Sequence, residues 1–195
     1  MPEVMKYYRA ELDHNAISLY RSENYEEADN MYHSVFASAQ SSIDAIHVNF
    51  SLEMVCFLNI IVEDLCNFGN ALQWMEAMMN AVEQNQVEVR VIVEDTNRNS
   101  VENKIAIDVF KKELAKRGLD DLVEVRFFNG RVHTKSALID QEFLIVGSQN
   151  LHYSSWGERG LLEYGVATDD PEAILQYQKM FDYYWEQAIP VEEAD

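Results

Sequence analysis

A chain of 195 residues holds one domain with a sizeable core and is too short for two. Its 34 acidic residues against 15 basic ones give a formal charge of −19, which argues against a surface that attracts nucleic acid everywhere by charge. Cys56 and Cys66 are the sole cysteines and no His or Cys pair stands at zinc spacing, so no metal and no cofactor are expected. Residues 1–6 lack the apolar core of a signal peptide. The most apolar stretch, 54–62, is broken by Asn59 and too short to span a bilayer, so a cytoplasmic chain is expected.

Taken in chain order, residues 1–32 read as a helical, acidic, aromatic extension ahead of a single domain over 33–195. A helix over 31–40 leads into a strand over 43–49. Residues 52–67 and 71–84 read as two amphipathic helices interrupted at Phe68-Gly69-Asn70. The methionines of 75–79 suit helix packing or a dimer face. V-E-V-R-V-I-V at 87–93 alternates as a strand does. Glu94 and Asp95 could form an acid pair for metal chemistry, but strand ends and helix caps favour such residues anyway. A basic amphipathic helix over 104–116 ends at Arg117-Gly118, and a strand follows at 123–128. Another strand is expected over 162–168, and Pro171 opens a last helix reaching about residue 188. Strands alternating with helices early and clustering late predict an α/β fold, a mixed sheet with helices on both faces.

Between these last strands stands R-V-H-T-K-S-A-L-I-D-Q-E-F-L-I-V-G-S-Q-N, which reads H-x-K-x4-D-x6-G-S-x-N. Six specified residues, each at roughly one in twenty, match by chance at about 10⁻⁸ per position. Two runs of strand formers flank the turn Asp140-Gln141-Glu142, predicting a hairpin. Residues two apart in a strand share a face, so His133 and Lys135 should point together, and Ser148 and Asn150 likewise. An imidazole, an ammonium, a hydroxyl and an amide in one cluster suit an anionic phosphate with a nucleophile beside it. Asp140 reads as structural, since a turn aspartate can bond its own backbone. His47 reads as core. His152 and Trp156, just past the motif, either line the cleft or pack beneath it.

The run resembles the HKD motif of the phospholipase D superfamily, with Gly147 part of the pattern. The likeness extends to A-Q-S-S-I-D-A-I at 39–46, similar to the start of the family's first core strand, and covers roughly 35–188. It implies a phospholipase D-like α/β/α sandwich. It also implies a covalent mechanism with His133 as nucleophile and Lys135, Ser148 and Asn150 around the phosphate. Glu163 would either orient His133 or make a surface ion pair. Phospholipase D enzymes carry two such motifs and this chain has one, so a homodimer with a composite active site is expected, a different partner protein being the alternative. For the substrate, the resemblance leaves two options. Small one-motif nucleases of the family point to nucleic acid, whereas local similarity over 123–170 points to phospholipid and to cardiolipin synthase-like chemistry. Ten of the fifteen basic residues fall between Arg90 and Lys135. Nucleic acid would therefore approach along Lys111, Lys112 and Arg131, and its binding would weaken steeply with salt.

Overall fold

The computed structural model describes residues 11–12, 16–51, 73–95, 100–158 and 160–191. Among them run the strands β1 (Glu11–Leu12), β2 (Ala16–Arg21), β3 (Ser42–His47), β4 (Glu88–Glu94) and β5 (Val123–Phe128). β6 (Ser136–Ile139), β7 (Phe143–Gly147), β8 (Glu163–Thr168) and β9 (Ile189–Pro190) complete the set. Helices are α1 (Tyr25–Ala37), α2 (Gln73–Asn85), α3 (Ser100–Arg117) and α4 (Pro171–Trp185). The strands form one mixed sheet in the order β1-β2-β8-β7-β6-β3-β4-β5-β9. β3, β4 and β5 pair in parallel, and the remaining neighbours are antiparallel.

Strand alternation sorts the core into two layers. Ile43 and Ala45 of β3 and Val89, Val91 and Val93 of β4 face one side, where they meet α1, α2 and α3. Ile46 and Ile92, one residue out of phase, face the other side and pack under α4 through Ile174, Tyr177, Phe181 and Trp185. Met75, Met78 and Met79 are buried in the first layer, so they serve packing within the chain. The start of α4 is fixed locally. Asp170 caps it by accepting from the Glu172 and Ala173 backbone N–H groups, and Pro171 supplies the first helical residue.

Two expectations need correction. Residues 16–21 form strand β2, not a helix, and β2 pairs antiparallel along the whole of β8. The physical reason is the edge: without β2 the backbone of β8 would stand unpaired, and A-I-S-L-Y-R can place Leu19 against Ile145 and Ala167. The motif strand also starts later than its composition suggests. Pairing of β6 with β3 runs out at Ile46 and Ser136, and residues 131–135 lie outside any strand. The helix expected over 52–67, both cysteines and residues 1–10 and 13–15 of the N-terminal extension lie outside the described residues. No helix among the described residues is long and apolar enough to cross a membrane.

The hairpin turn is pinned from outside. Asp140 adopts φ of 53°, and its carboxylate accepts from the backbone N–H groups of Gln40, Ser41 and Ser42 and from the Ser41 hydroxyl. It thus ties the turn to the start of β3. Partial burial pushes the Asp140 pKa up, but these donors outweigh it and hold the carboxyl below the usual carboxylate range. A depressed folded-state pKa stabilises the fold above about pH 4, the unfolded value, and that contribution fades as pH falls further. Asp140→Ala should cost about 2 kcal/mol at pH 7, combining lost acceptors with a positive φ. Asp140→Asn, which tolerates that φ, should cost about half as much, and both penalties should shrink near pH 3 in denaturant titrations.

Candidate active site

The end of the sheet where β6 begins carries the motif. Lys135, just before β6, is 6% exposed, and its Nζ donates to the His133 carbonyl at 2.8 Å. The Gly147 N–H donates to the Lys135 carbonyl at 2.9 Å, so the hairpin pairing continues one step beyond the strands. Gly147 has to be glycine. A Cβ there would stand 2.9 Å from both the Gly165 Cα and the Tyr164 carbonyl oxygen, where β7 and β8 approach closely.

Glu163, at the start of β8, is the hub of the polar groups. It is buried. Ser148 Oγ donates to Glu163 Oε2 at 2.5 Å, and Ser155 Oγ donates to Oε1 at 2.7 Å. The Ser155 hydroxyl also accepts from the Asn150 N–H, and the Asn150 carbonyl accepts from Trp156 Nε1. Asn150 Oδ1 is buried with no hydrogen-bond partner in the described structure. Glu163 therefore braces the G-S-x-N loop; among the described residues its hydrogen bonds are with serines, and it bonds neither the His133 ring nor a surface cation.

Lys135 sits in the field of this carboxylate. Burial pushes its pKa down, Glu163 and Glu94 push it back up, and the balance leaves it below the ordinary lysine value. His47 follows β3 Ile46, which pairs with Ser136, so it lies next to Lys135. Burial and then the Lys135 charge push its pKa down to about 3, which keeps the ring neutral. Glu94, buried at the end of β4, accepts from the Val132 N–H at 3.2 Å and so holds the segment leading to His133.

His133 itself is exposed. Its ring makes no hydrogen bond to a described residue, and it stands at the mouth of a cavity of about 240 Å³ on the α4 side of the sheet. Ile46 and Ile92 floor this cavity, Phe128, Met180 and Tyr184 wall it, and Arg131 shares the mouth. The single chain thus gathers Lys135, Ser148, Asn150 and Glu163 by hydrogen bonds and charge, while the His133 ring, two residues from Lys135, is left without a hydrogen bond to a described residue.

The remaining candidates fall elsewhere. Trp156 is buried, packing edge-on against Tyr32 at 5.6 Å. His152 Nε2 lies 2.9 Å from Glu102. Lys112 pairs with Asp108, Lys111 is half-buried with its pKa lowered by burial, and α3 packs on the face opposite the cavity. The basic helix therefore does not converge on His133 within one chain.

A clamp escaped the sequence reading. Arg21 of β2, 2% exposed, donates through Nε and Nη2 to both oxygens of Asp29 on α1, and through Nη1 and Nη2 to the carbonyls of Leu161 and Gly157. Asp29 also accepts from the Gly157 N–H, and Gln149 Nε2 donates to the Ser155 carbonyl. A fully paired buried ion pair thus fixes the loop that carries Ser155 into Glu163. Glu163→Gln removes a charge that raises the Lys135 pKa. The Lys135 ammonium, followed by NMR, should consequently titrate at lower pH in this variant; an unmoved titration would show that the two groups do not interact.

The family model for the cardiolipin synthase, PLD-like domain matches residues 32–185. Among solved structures, the phospholipase D family member Nuc from Salmonella typhimurium superposes with a TM-score of 0.61 at 17% identity, covering 90% of this chain and 96% of that one. NucT from Helicobacter pylori gives 0.61 at 19% identity, with 90% and 98% covered. Phosphatidylserine synthase from Haemophilus influenzae Rd KW20 gives 0.65 at 13% identity, but 95% of this chain spans 43% of that one. No curated protein matches the sequence.

Proposed function

The chain belongs to the phospholipase D superfamily, and we propose that it hydrolyses nucleic-acid phosphodiesters through a phosphohistidine, at a site completed by a second copy. The observation that carries this is Lys135. The Glu163 and Glu94 carboxylates offset the burial of this ammonium only in part, since its pKa stays below the ordinary lysine value, so a further anion is favoured there, two residues from an exposed imidazole.

The proposed steps balance as follows. The His133 imidazole attacks phosphorus, a P–N bond forms and the P–O bond to the leaving group breaks. His133 of the second copy protonates the leaving oxygen, then takes a proton from water as that water attacks the phosphohistidine. The products are a phosphate monoester and an alcohol, and both histidines return to their starting state. Lys135 and Asn150 from both copies face the non-bridging oxygens, where charge develops. Lysine charge does here what a cation would otherwise do, so activity should persist in EDTA.

Two further observations support the second copy. One motif supplies half the groups. Val146, Leu161, Leu162 and Tyr164 are exposed large apolar side chains around the Ser148–Glu163 end of the sheet, the kind of patch a partner covers. A nucleic-acid substrate is supported by compactness, since the chain matches Nuc and NucT over nearly their whole length and spans less than half of the phosphatidylserine synthase. The second reading, phosphatidyl hydrolysis or transfer, is favoured by the description of the matching family model.

His133→Ala should abolish turnover and the acid-labile phosphoenzyme trapped from a radiolabelled oligonucleotide. Light scattering should give twice 22.6 kDa, and Leu161→Asp with Leu162→Asp should yield a folded monomer that has lost at least 100-fold in rate. A fully active monomer would overturn the composite site, and a stable complex with a different protein would replace the homodimer.

A further inference from the structure

Three aromatic rings, the half-buried Phe128 and the exposed Tyr184 and Tyr183, lead outward from the His133 cavity. Phe128 forms its wall, and Tyr184 meets Phe128 edge-on with centroids 5.1 Å apart. Tyr183 meets Tyr184 in the same way at 5.2 Å. Tyr184 is 36% exposed and Tyr183 is 63% exposed. Large rings left in water beside a reactive imidazole are unusual, because burying them is worth so much. Arg131 stands at the same mouth, exposed, and makes no ion pair with a described residue.

Charge alone does not attract a polyanion to this chain. Four of the described basic residues on α3 and β5 are already held by carboxylates: Lys112 by Asp108, Lys116 by Glu113, Arg117 by Glu83 and Glu113, and Arg126 by Glu124, and Lys104 lies over the Phe127 ring. Arg90 is shared between Asp44 and Asp182. Affinity for nucleic acid has to come from another source, and base stacking on aromatic rings is the sequence-tolerant one.

We propose that the cavity beside His133 takes an unpaired base, with Tyr184 and Tyr183 receiving the next and Arg131 the phosphate between them. This rests on the nucleic-acid reading above. The strand must be single, because a duplex keeps its bases stacked on each other and presents backbone charge to an acidic surface. The floor of Ile46 and Ile92 closes the cavity against the sheet, so it accepts a flat, compact group and is a dead end for an extended acyl chain.

The test uses the full chain carrying His133→Ala, so that ligand survives, in EDTA. A fluorescent deoxythymidine decamer is titrated and followed by anisotropy. Tyr184→Ala should weaken binding about tenfold or more, as expected for losing one stacked base, and Tyr184→Phe should restore it to within about twofold. Tyr183→Ala, at a position too exposed to disturb the core, should weaken it about threefold or more. A blunt duplex of the same length should bind at least tenfold more weakly than the single strand.

Unchanged binding in Tyr184→Ala and Tyr183→Ala, or equal binding of duplex and single strand, overturns the base site. Cleavage of methyl p-nitrophenyl phosphate by the unaltered chain is measured alongside. If that ester is cleaved and the decamer is not bound, the base site fails while the phosphodiesterase chemistry stands. If the decamer binds with the expected ring dependence and no phosphodiester is cleaved, the hydrolytic reading fails while the base site stands.

Discussion

Lys135 brings a full positive charge to a place where water reaches little of it, and the end of the sheet is arranged around that fact. Isolated, such a charge would deprotonate or unfold its surroundings. Two buried carboxylates, Glu163 and Glu94, oppose that by raising its pKa, and each is itself anchored. Glu163 is held by Ser148 and Ser155, and Glu94 by the Val132 N–H. The ammonium is spent on the His133 carbonyl, so the same side chain that would meet a phosphate also fixes the backbone of the proposed nucleophile.

Around this charge the structure is rigid where electrostatics needs rigidity. The Arg21–Asp29 pair locks the loop bearing Ser155, and Asn103, fully buried on α3, bonds Val48, Phe50 and Glu94 at the ends of β3 and β4. Both are polar devices inside apolar layers, and both are saturated with partners, which is what makes them tolerable there. Their effect reaches Lys135 through Glu163 and Glu94.

What could be read from sequence tracks how local the responsible interactions are. The motif, the hairpin turn and β4 and β5 show in the sequence because period, turn residues and spacing lie within a few positions of each other. Asp140 could be read as structural, though its partners at Gln40, Ser41 and Ser42 could not, being about a hundred positions away. β2 went unread because its reason for being a strand is the edge of β8, distant in sequence. The clamp from Asp29 to Gly157 spans 128 positions and leaves no periodic trace. His133 and Lys135 were expected to share a face by strand geometry. The strand begins only at Ser136, so the two-residue rule does not apply to them.

The difference between these two residues bears on the second copy proposed to complete the site. Lys135, Ser148, Asn150 and Glu163 are held by hydrogen bonds within the chain. The His133 ring has none with a described residue and stands in solvent at a cavity mouth. Productive attack on phosphorus needs the imidazole held to within a fraction of an ångström, since loose positioning gives up much of the entropic advantage of an enzyme. Within one chain nothing among the described residues supplies that constraint. In the proposed dimer the second copy supplies it, because its own phosphate-facing groups fix the substrate on which both imidazoles converge. An anionic substrate then completes both sides of the electrostatic balance, meeting the buried ammonium from each copy. On that proposed reading, the acidic surroundings of this chain leave a substrate phosphate that one place to be drawn to.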